Sequence, residues 1–186
     1  TGTTTISAGT LRAIDTQGLP SARHLLFDGG VFQSSGTFTR SNTPEAGTST
    51  FSNSSNKTTL FSAFGSKLTV SVGGDALPEQ TIRGTNVSEA NAFRFLMFGG
   101  SDGNAEVDFR NNISLSNGTR VVDVTTGDVS GNFFATLSGV IRDGDGSAAA
   151  SIQKQGAGRL NLTGDNTYSG QTRLNNSGAT SVIGLG

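Results

Sequence analysis

Four carboxylates have the residue type and spacing that catalysis could use. Glu106 and Asp108 are separated by one residue, so a β-strand would place both side chains on the same face. Asp123 and Asp128 follow at a distance that one or two further strands could bring alongside. Paired acids facing one groove are the catalytic groups of many enzymes that cleave polysaccharides. Outward-facing acids that keep a sheet soluble have the same spacing, and we predict that role for these four.

Other catalytic and metal chemistries have little support in the sequence. His24 is the single histidine, so a Ser-His-Asp triad would depend on this residue alone, and we predict a surface or hydrogen-bonded core histidine. The Asp-Gly-Asp-Gly run from Asp143 to Gly146 resembles a short calcium loop, but it lacks the distal glutamate of an EF-hand. A plain turn is predicted there. The chain has no cysteine, which excludes disulfides and thiolate chemistry. We therefore predict no catalytic, cofactor-binding or metal-binding residues.

Composition excludes several classes of protein. The chain has 186 residues and a formal net charge of −1, from 13 Lys and Arg against 14 Asp and Glu. This balance argues against a protein that binds nucleic acid or an anionic membrane through bulk charge. Close to half of the chain is Gly, Thr, Ser or Asn, and only 15% is charged, so an α-helical protein is excluded. No apolar stretch approaches the roughly 18 residues of a membrane span.

The chain reads as many short β-strands separated by turns. In the segment from Lys67 to Val72, the apolar residues Leu68, Val70 and Val72 alternate with polar ones, as a half-buried strand requires. Twelve Phe are spread along the chain and argue for a folded core. Phe51 lies in a stretch that is mostly Ser, Thr, Asn and Gly, and we predict that it still contacts the core. Two architectures remain open on this pattern, an antiparallel sandwich and a parallel β-helix.

The two ends of the chain are similar to each other. Gly2, Thr4 and Ile6 recur as Gly170, Thr172 and Leu174, a separation of about 168 residues. A self-match of this kind is typical of repeat proteins, in which each unit buries its apolar face only against its neighbours. Because the chain begins with Thr and has this internal period, we predict that residues 1–186 are a single segment cut from a longer repeat protein.

The stretch before the second copy carries a longer motif. A Leu-Ser-Gly-Val-Ile strand at 137–141 leads to Lys-x-Gly-x-Gly-x-Leu-x-Leu-x-Gly at 154–164 and to Asn-Thr-Tyr-x-Gly-x-Thr at 166–172. This run, strongest over residues 137–180, closely resembles the autotransporter-associated β-strand repeat of passenger regions in bacterial surface and secreted proteins. The resemblance implies an all-β chain folded as a right-handed parallel β-helix. With about 20–25 residues per coil, the chain would form on the order of eight coils.

The resemblance and the scarcity of catalytic residue types lead to one expected function. We expect a non-catalytic structural or adhesive stalk of a large bacterial cell-surface or secreted protein, extracellular and without cofactors. Its expected partners are other copies of the chain, joined end to end into fibres, and surface glycans or neighbouring cells, but not nucleic acid. The alternative is a carbohydrate-binding or polysaccharide-cleaving β-helix. Acids and Arg or Lys clustered in one concave cleft would favour that alternative.

Overall fold

The computed structural model describes residues 2–42, 49–54, 57–84, 92–125, 133–146, 148–175 and 182–185. These residues form nineteen strands and one short 3₁₀ helix at Gly74–Ala76. The strands are β1 (Thr4–Ile6), β2 (Thr10–Arg12), β3 (Leu25–Phe27), β4 (Val31–Phe38), β5 (Ser41–Asn42), β6 (Thr50–Asn53), β7 (Thr59–Val70), β8 (Gln80–Ile82), β9 (Ala92–Phe93), β10 (Leu96–Phe98), β11 (Val107–Phe109), β12 (Ile113–Leu115), β13 (Thr119–Val124), β14 (Phe134–Leu137), β15 (Ile141–Asp143), β16 (Ser151–Gln155), β17 (Arg159–Leu162), β18 (Thr172–Leu174) and β19 (Val182–Leu185).

All strand pairings among these residues are parallel, and they stack into the three faces of a β-helix. The first face has seven layers: β2, the first half of β4, the first half of β7, β10, β13, β16 and β18. The second face has six: the second halves of β4 and β7, then β11, β14, β17 and β19. The third face consists of the stacks β1-β3-β6-β5 and β9-β8-β12-β15. The parallel β-helix predicted from the repeat is confirmed, and the antiparallel sandwich is excluded. Its right-handedness stays a prediction, which the chirality of parallel crossovers favours.

The corner between the first and second faces is built by glycine where a strand continues from one face to the next. In β4 the pairing register shifts between Ser34 and Gly36, and Gly36 has a φ of +77°. In the next layer Gly65 of β7 has the same φ of +77°. Residues with a Cβ rarely adopt this backbone conformation, so glycine lets a single long strand turn the corner.

A stack of phenylalanines fills the coils. Ring centroids of neighbouring pairs lie 5.2–6.2 Å apart, mostly in edge-to-face arrangements, and all of these rings are fully buried. The members are Phe27, Phe38, Phe51, Phe61, Phe93 and Phe109. Edge-to-face aromatic pairs add about 0.5–1.5 kcal/mol to the stabilisation from burial alone. The predicted core contact of Phe51 is confirmed.

The coils differ in length more than the sequence predicted. On the first face Ile152 pairs with Thr172, 20 residues later, whereas Phe61 pairs with Phe98, 37 residues later. The expectation of 20–25 residues for every coil was therefore wrong. The lengths of the strands on the first face do not reveal the difference, because the additional residues lie between one first-face strand and the next.

The two coils that are longest when measured on the second face also place an additional strand on the third face. β5 and β6 pair with each other within one coil, and β8 and β9 do so in the next. The side chain of Asn42 in β5 bridges these two stacks, because its Nδ2 donates a hydrogen bond to the carbonyl oxygen of Ala92 in β9 at 2.9 Å. The rings of Phe51 and Phe93 pack beneath this junction, 6.1 Å apart. A side chain therefore continues the ladder where the backbone pairing stops.

Asparagine side chains also bond the backbone at the corner between the second and third faces. Asn111 is fully buried; its Oδ1 accepts a hydrogen bond from the Val72 N–H at 2.8 Å, and its Nδ2 donates to the Val72 carbonyl at 2.8 Å. Asn112 accepts from the Val140 N–H, and Asn166 accepts from the Ile141 N–H. Each amide side chain thus supplies to an adjacent coil the partner that a strand would supply elsewhere.

Candidate functional site

His24 is a hydrogen-bonded core residue, as the sequence predicted. It is 5% exposed, and its Nδ1 and Nε2 lie 2.7 Å from Thr50 Oγ1 and 2.8 Å from Ser52 Oγ. A catalytic triad needs a carboxylate to orient the imidazole. Asp15, an acid buried at the same end of the β-helix, is instead bonded to the Arg40 guanidinium, with Oδ1 2.9 Å from Nε and 2.7 Å from Nη2.

Glu106 and Asp108 lie together on the outer surface of the second face, where both are paired with the ammonium of Lys67. Lys67 Nζ lies 3.4 Å from a carboxylate oxygen of Glu106 and 2.8 Å from one of Asp108. The hydrogen bond to Asp108 is the main reason that the pKa of Lys67 is raised. Thr136 and Ser138 in the following coil donate to the two acids, each at 2.6 Å. Each acid is bonded both to Lys67 and to a hydroxyl group, and the outward role predicted for this pair agrees with the geometry.

Asp123 lies apart from Glu106 and Asp108, on the first face, and Asp128 lies outside the described residues. Burial raises the pKa of Asp123, and its Oδ1 has no hydrogen-bond partner within the described part of the chain. The positive charge of Lys154 opposes this rise. Lys154 occupies an inward register position beside Val122 and is fully buried. Burial lowers the pKa of Lys154 to about 8, and the ammonium donates to the carbonyl oxygens of Gln155 and Gly156.

The Asp-Gly-Asp-Gly run is a hydrogen-bonded turn. Asp143 accepts hydrogen bonds from the Ala150 N–H at 2.8 Å and from the Ser169 N–H and hydroxyl at 2.9 and 2.6 Å. These bonds, that of the Ser169 hydroxyl first, lower the pKa of Asp143. Asp145 instead pairs with Arg142. Among the described residues no group of three or more His, Cys, Asp or Glu could hold a metal ion.

A polar cleft of about 300 Å³ lies on the outer surface of the third face, where β8, β12 and β15 run side by side. The strand register places Thr81, Ser114 and Arg142 in one row across the three strands. Arg83 and Ser116 follow two positions further along, just beyond the ends of β8 and β12. Apart from one glycine, each described residue that lines the cleft has a polar side chain.

Arg142 forms one wall of the cleft and is held by carboxylates on both sides. Its Nε and Nη2 each lie 2.7 Å from an oxygen of Glu79, and its Nη1 lies 2.6 Å from Asp145 Oδ1. Nη1 also donates to the Asp143 carbonyl at 2.9 Å. The hydrogen bonds to Glu79, and then to Asp145, raise the pKa of this guanidinium. This site cannot be recognised in the sequence, because 63 residues separate Glu79 from Arg142 and no local motif links them.

A comparison with protein families finds one family model that matches a segment near each end of the chain. The family model described as the passenger-associated-transport-repeat matches residues 1–13 and residues 152–182. Both ends of the chain match this passenger repeat. The resemblance to autotransporter passenger repeats is thereby confirmed. No curated protein and no solved structure matches the chain.

The strands that match in sequence between the two passenger-repeat segments lie on different faces of the β-helix. In the first segment, Thr4–Ile6 lies on the third face and Thr10–Arg12 on the first. In the second, Thr172–Leu174, which matches Thr4–Ile6 in sequence, lies on the first face. The passenger repeat is a repeat of passenger regions rather than a catalytic family, and it implies a secreted or surface protein. Within the described residues no helix is long and apolar enough to cross a membrane.

Proposed function

We propose that the chain is a non-catalytic β-helical stalk segment of an extracellular protein of the bacterial cell surface. The observation that carries this proposal is the continuous ladder of parallel strands on the first face, which runs from β2 in one passenger-repeat segment to β18 in the other. In such a stack each coil buries its apolar side chains on the coils above and below, so the fold extends along one axis. The stalk would act through its length, its stiffness and its polar outer surface.

The bonding of the candidate acids supports a non-catalytic role. Enzymes that cleave polysaccharides use two carboxyl groups that face the substrate, one of them with a raised pKa. Glu106 and Asp108 share the ammonium of Lys67, and Asp145 forms an ion pair with Arg142. Asp123, whose pKa is raised, lies on the first face rather than beside Glu106 and Asp108 on the second.

We further propose that copies of the chain associate end to end. Among the described strands, β1 and β2 pair on one side only, and so do β18 and β19 at the other end. Leu174 lies in an inward register row beside Lys154, yet it is 55% exposed. An unpaired parallel edge at each end, with an inward apolar residue uncovered at one of them, suits head-to-tail contact with a second copy.

Sedimentation and small-angle scattering over a range of protein concentrations test both the stalk proposal and the proposed end-to-end association. We expect an elongated particle whose length grows with concentration, and Leu174→Lys should abolish that growth because it places a charge in the proposed contact. Ser66→Lys introduces the same charge at an exposed position along the side and serves as the control. A globular monomer would refute the stalk. A rod that stays monomeric at high concentration would refute only the end-to-end contact.

A further inference from the structure

We propose that the polar cleft on the third face binds a neutral saccharide unit of a glycan chain. This inference goes beyond the stalk role proposed above, because it names a binding site on the outer surface of the stalk and the class of its ligand. The volume of about 300 Å³ is at the lower end of the range for small-molecule sites. Three adjacent strands form the floor, which at about 4.8 Å per strand spacing is roughly 10 Å across.

The groups in the cleft match the hydrogen bonding of sugar hydroxyls. Each sugar hydroxyl both donates and accepts a hydrogen bond, so a site for it needs both kinds of partner. The guanidinium groups of Arg83 and Arg142 are donors only, and the carboxylates of Glu79 and Asp145 are acceptors only. The hydroxyl of Thr81 can do either. Such a mixture of groups suits vicinal hydroxyls better than it suits an apolar ligand.

The charges favour a neutral ligand over a polyanion. Among the described residues, two guanidinium groups and two carboxylates line the cleft, and the formal charges of these four groups cancel. Both carboxylates are bonded to Arg142, so these three groups together carry a formal charge of −1 and do not attract an anionic ligand. Recognition would then depend on the geometry of hydrogen bonds rather than on long-range attraction, and binding should depend only weakly on salt.

The cleft is also held in shape before any ligand arrives. Arg142 makes a two-bond contact with Glu79 from another coil and bonds to Asp145 on its own turn. The bonds of Asp143 to Ala150 and Ser169 anchor the turn that carries Asp145. A site on rigid strands loses little conformational freedom when it binds, which favours even a shallow contact.

Arrays of immobilised neutral and uronate-containing oligosaccharides, to which the full chain is applied, test the proposal. Calorimetry then measures the affinity of the chain for the glycan that binds most strongly. We expect binding to neutral glycans that persists between 0.1 and 0.5 M NaCl. Thr81→Trp should abolish it by filling the cleft. Thr37→Trp, the same change at an exposed position on the second face, should not. Arg142→Lys keeps the charge but loses the two-bond geometry and should weaken binding by about tenfold or more.

Several results would overturn the proposal: no glycan bound, binding unchanged in Thr81→Trp, or binding restricted to uronate-containing glycans and lost at high salt. The absence of glycan binding would leave the stalk proposal intact, because that proposal depends on particle shape. A compact particle in scattering that still bound glycans, and lost this binding in Thr81→Trp, would refute the stalk proposal and support the glycan site. Circular dichroism of each variant ensures that lost binding is not lost folding.

Discussion

Replacing Asn111 with alanine removes hydrogen bonds that join two coils in a fully buried place. The side chain satisfies both the N–H and the carbonyl of Val72, and it donates a third bond to the Pro78 carbonyl at 2.9 Å. The Pro78 oxygen keeps the bond from Gln80 Nε2, also at 2.9 Å. Two buried backbone groups would therefore be left without a partner, at about 1–3 kcal/mol each. We expect Asn111→Ala to lower the free energy of unfolding by about 2–6 kcal/mol.

Asn112 provides a matched control at the next position. Its Oδ1 accepts one hydrogen bond, from the Val140 N–H at 2.9 Å, and the residue is exposed, so water can replace the bond. Asn112→Ala should cost about 0.5–1.5 kcal/mol. Urea denaturation followed by far-ultraviolet circular dichroism measures both, and hydrogen exchange should show faster exchange at the Val72 amide in Asn111→Ala. Equal destabilisation by the two variants would refute the claim that Asn111 acts as a buried backbone partner.

Three further changes test the packing and the charges of the coils. A Cβ at Gly164 would overlap the Gly139 carbonyl of the coil below, so Gly164→Ala should cost about 1–3 kcal/mol in urea denaturation, whereas Gly2→Ala, in open space, should be neutral. The pKa of Lys154 is lowered to about 8, so between pH 8 and its unfolded value of about 10.4 the unfolded chain binds more protons. Stability should rise with pH in that window, and Lys154→Met should flatten the rise; a flat profile in the unmodified chain would contradict the buried charge. The pKa of Asp143 is lowered, so its stabilisation is present above the unfolded value of about 3.9 and is lost as pH falls through the lower folded value. Asp143→Asn should therefore reduce the loss of stability on acidification. If the free energy of unfolding fell equally with acidification in both proteins, the hydrogen bonds of Asp143 would not contribute to stability.

The parts of the fold that follow local rules could be predicted from the sequence. Leu68, Val70 and Val72 alternate with polar residues, and all three are fully buried in the structure. The motif between Leu137 and Thr172 led to the parallel stacking, because the repeat it resembles requires each coil to cover the next. The roles predicted for His24 and for the Asp143 turn followed from what was missing around them, namely a second histidine and a distal glutamate.

Features that depend on coil length could not be predicted. The sequence pattern indicated a strand from Lys67 to Val72, but β7 is 12 residues long and continues around a corner at Gly65, which resembles a turn in sequence. The buried Arg40–Asp15 pair joins residues 25 positions apart. Coils of unequal length leave no constant offset from which such a pair, or the cleft around Arg142, could be found.

The unequal coils have a consequence for how such a molecule can evolve. A coil of 37 residues and one of 20 both contribute one strand to the first face, so both add the same axial rise of about 4.8 Å. Insertions at the corners add loop surface to the sides of the β-helix without changing its axial length. Duplication of whole coils lengthens the β-helix and leaves the loops of the existing coils unchanged. The loop surface and the length of the molecule can therefore evolve independently.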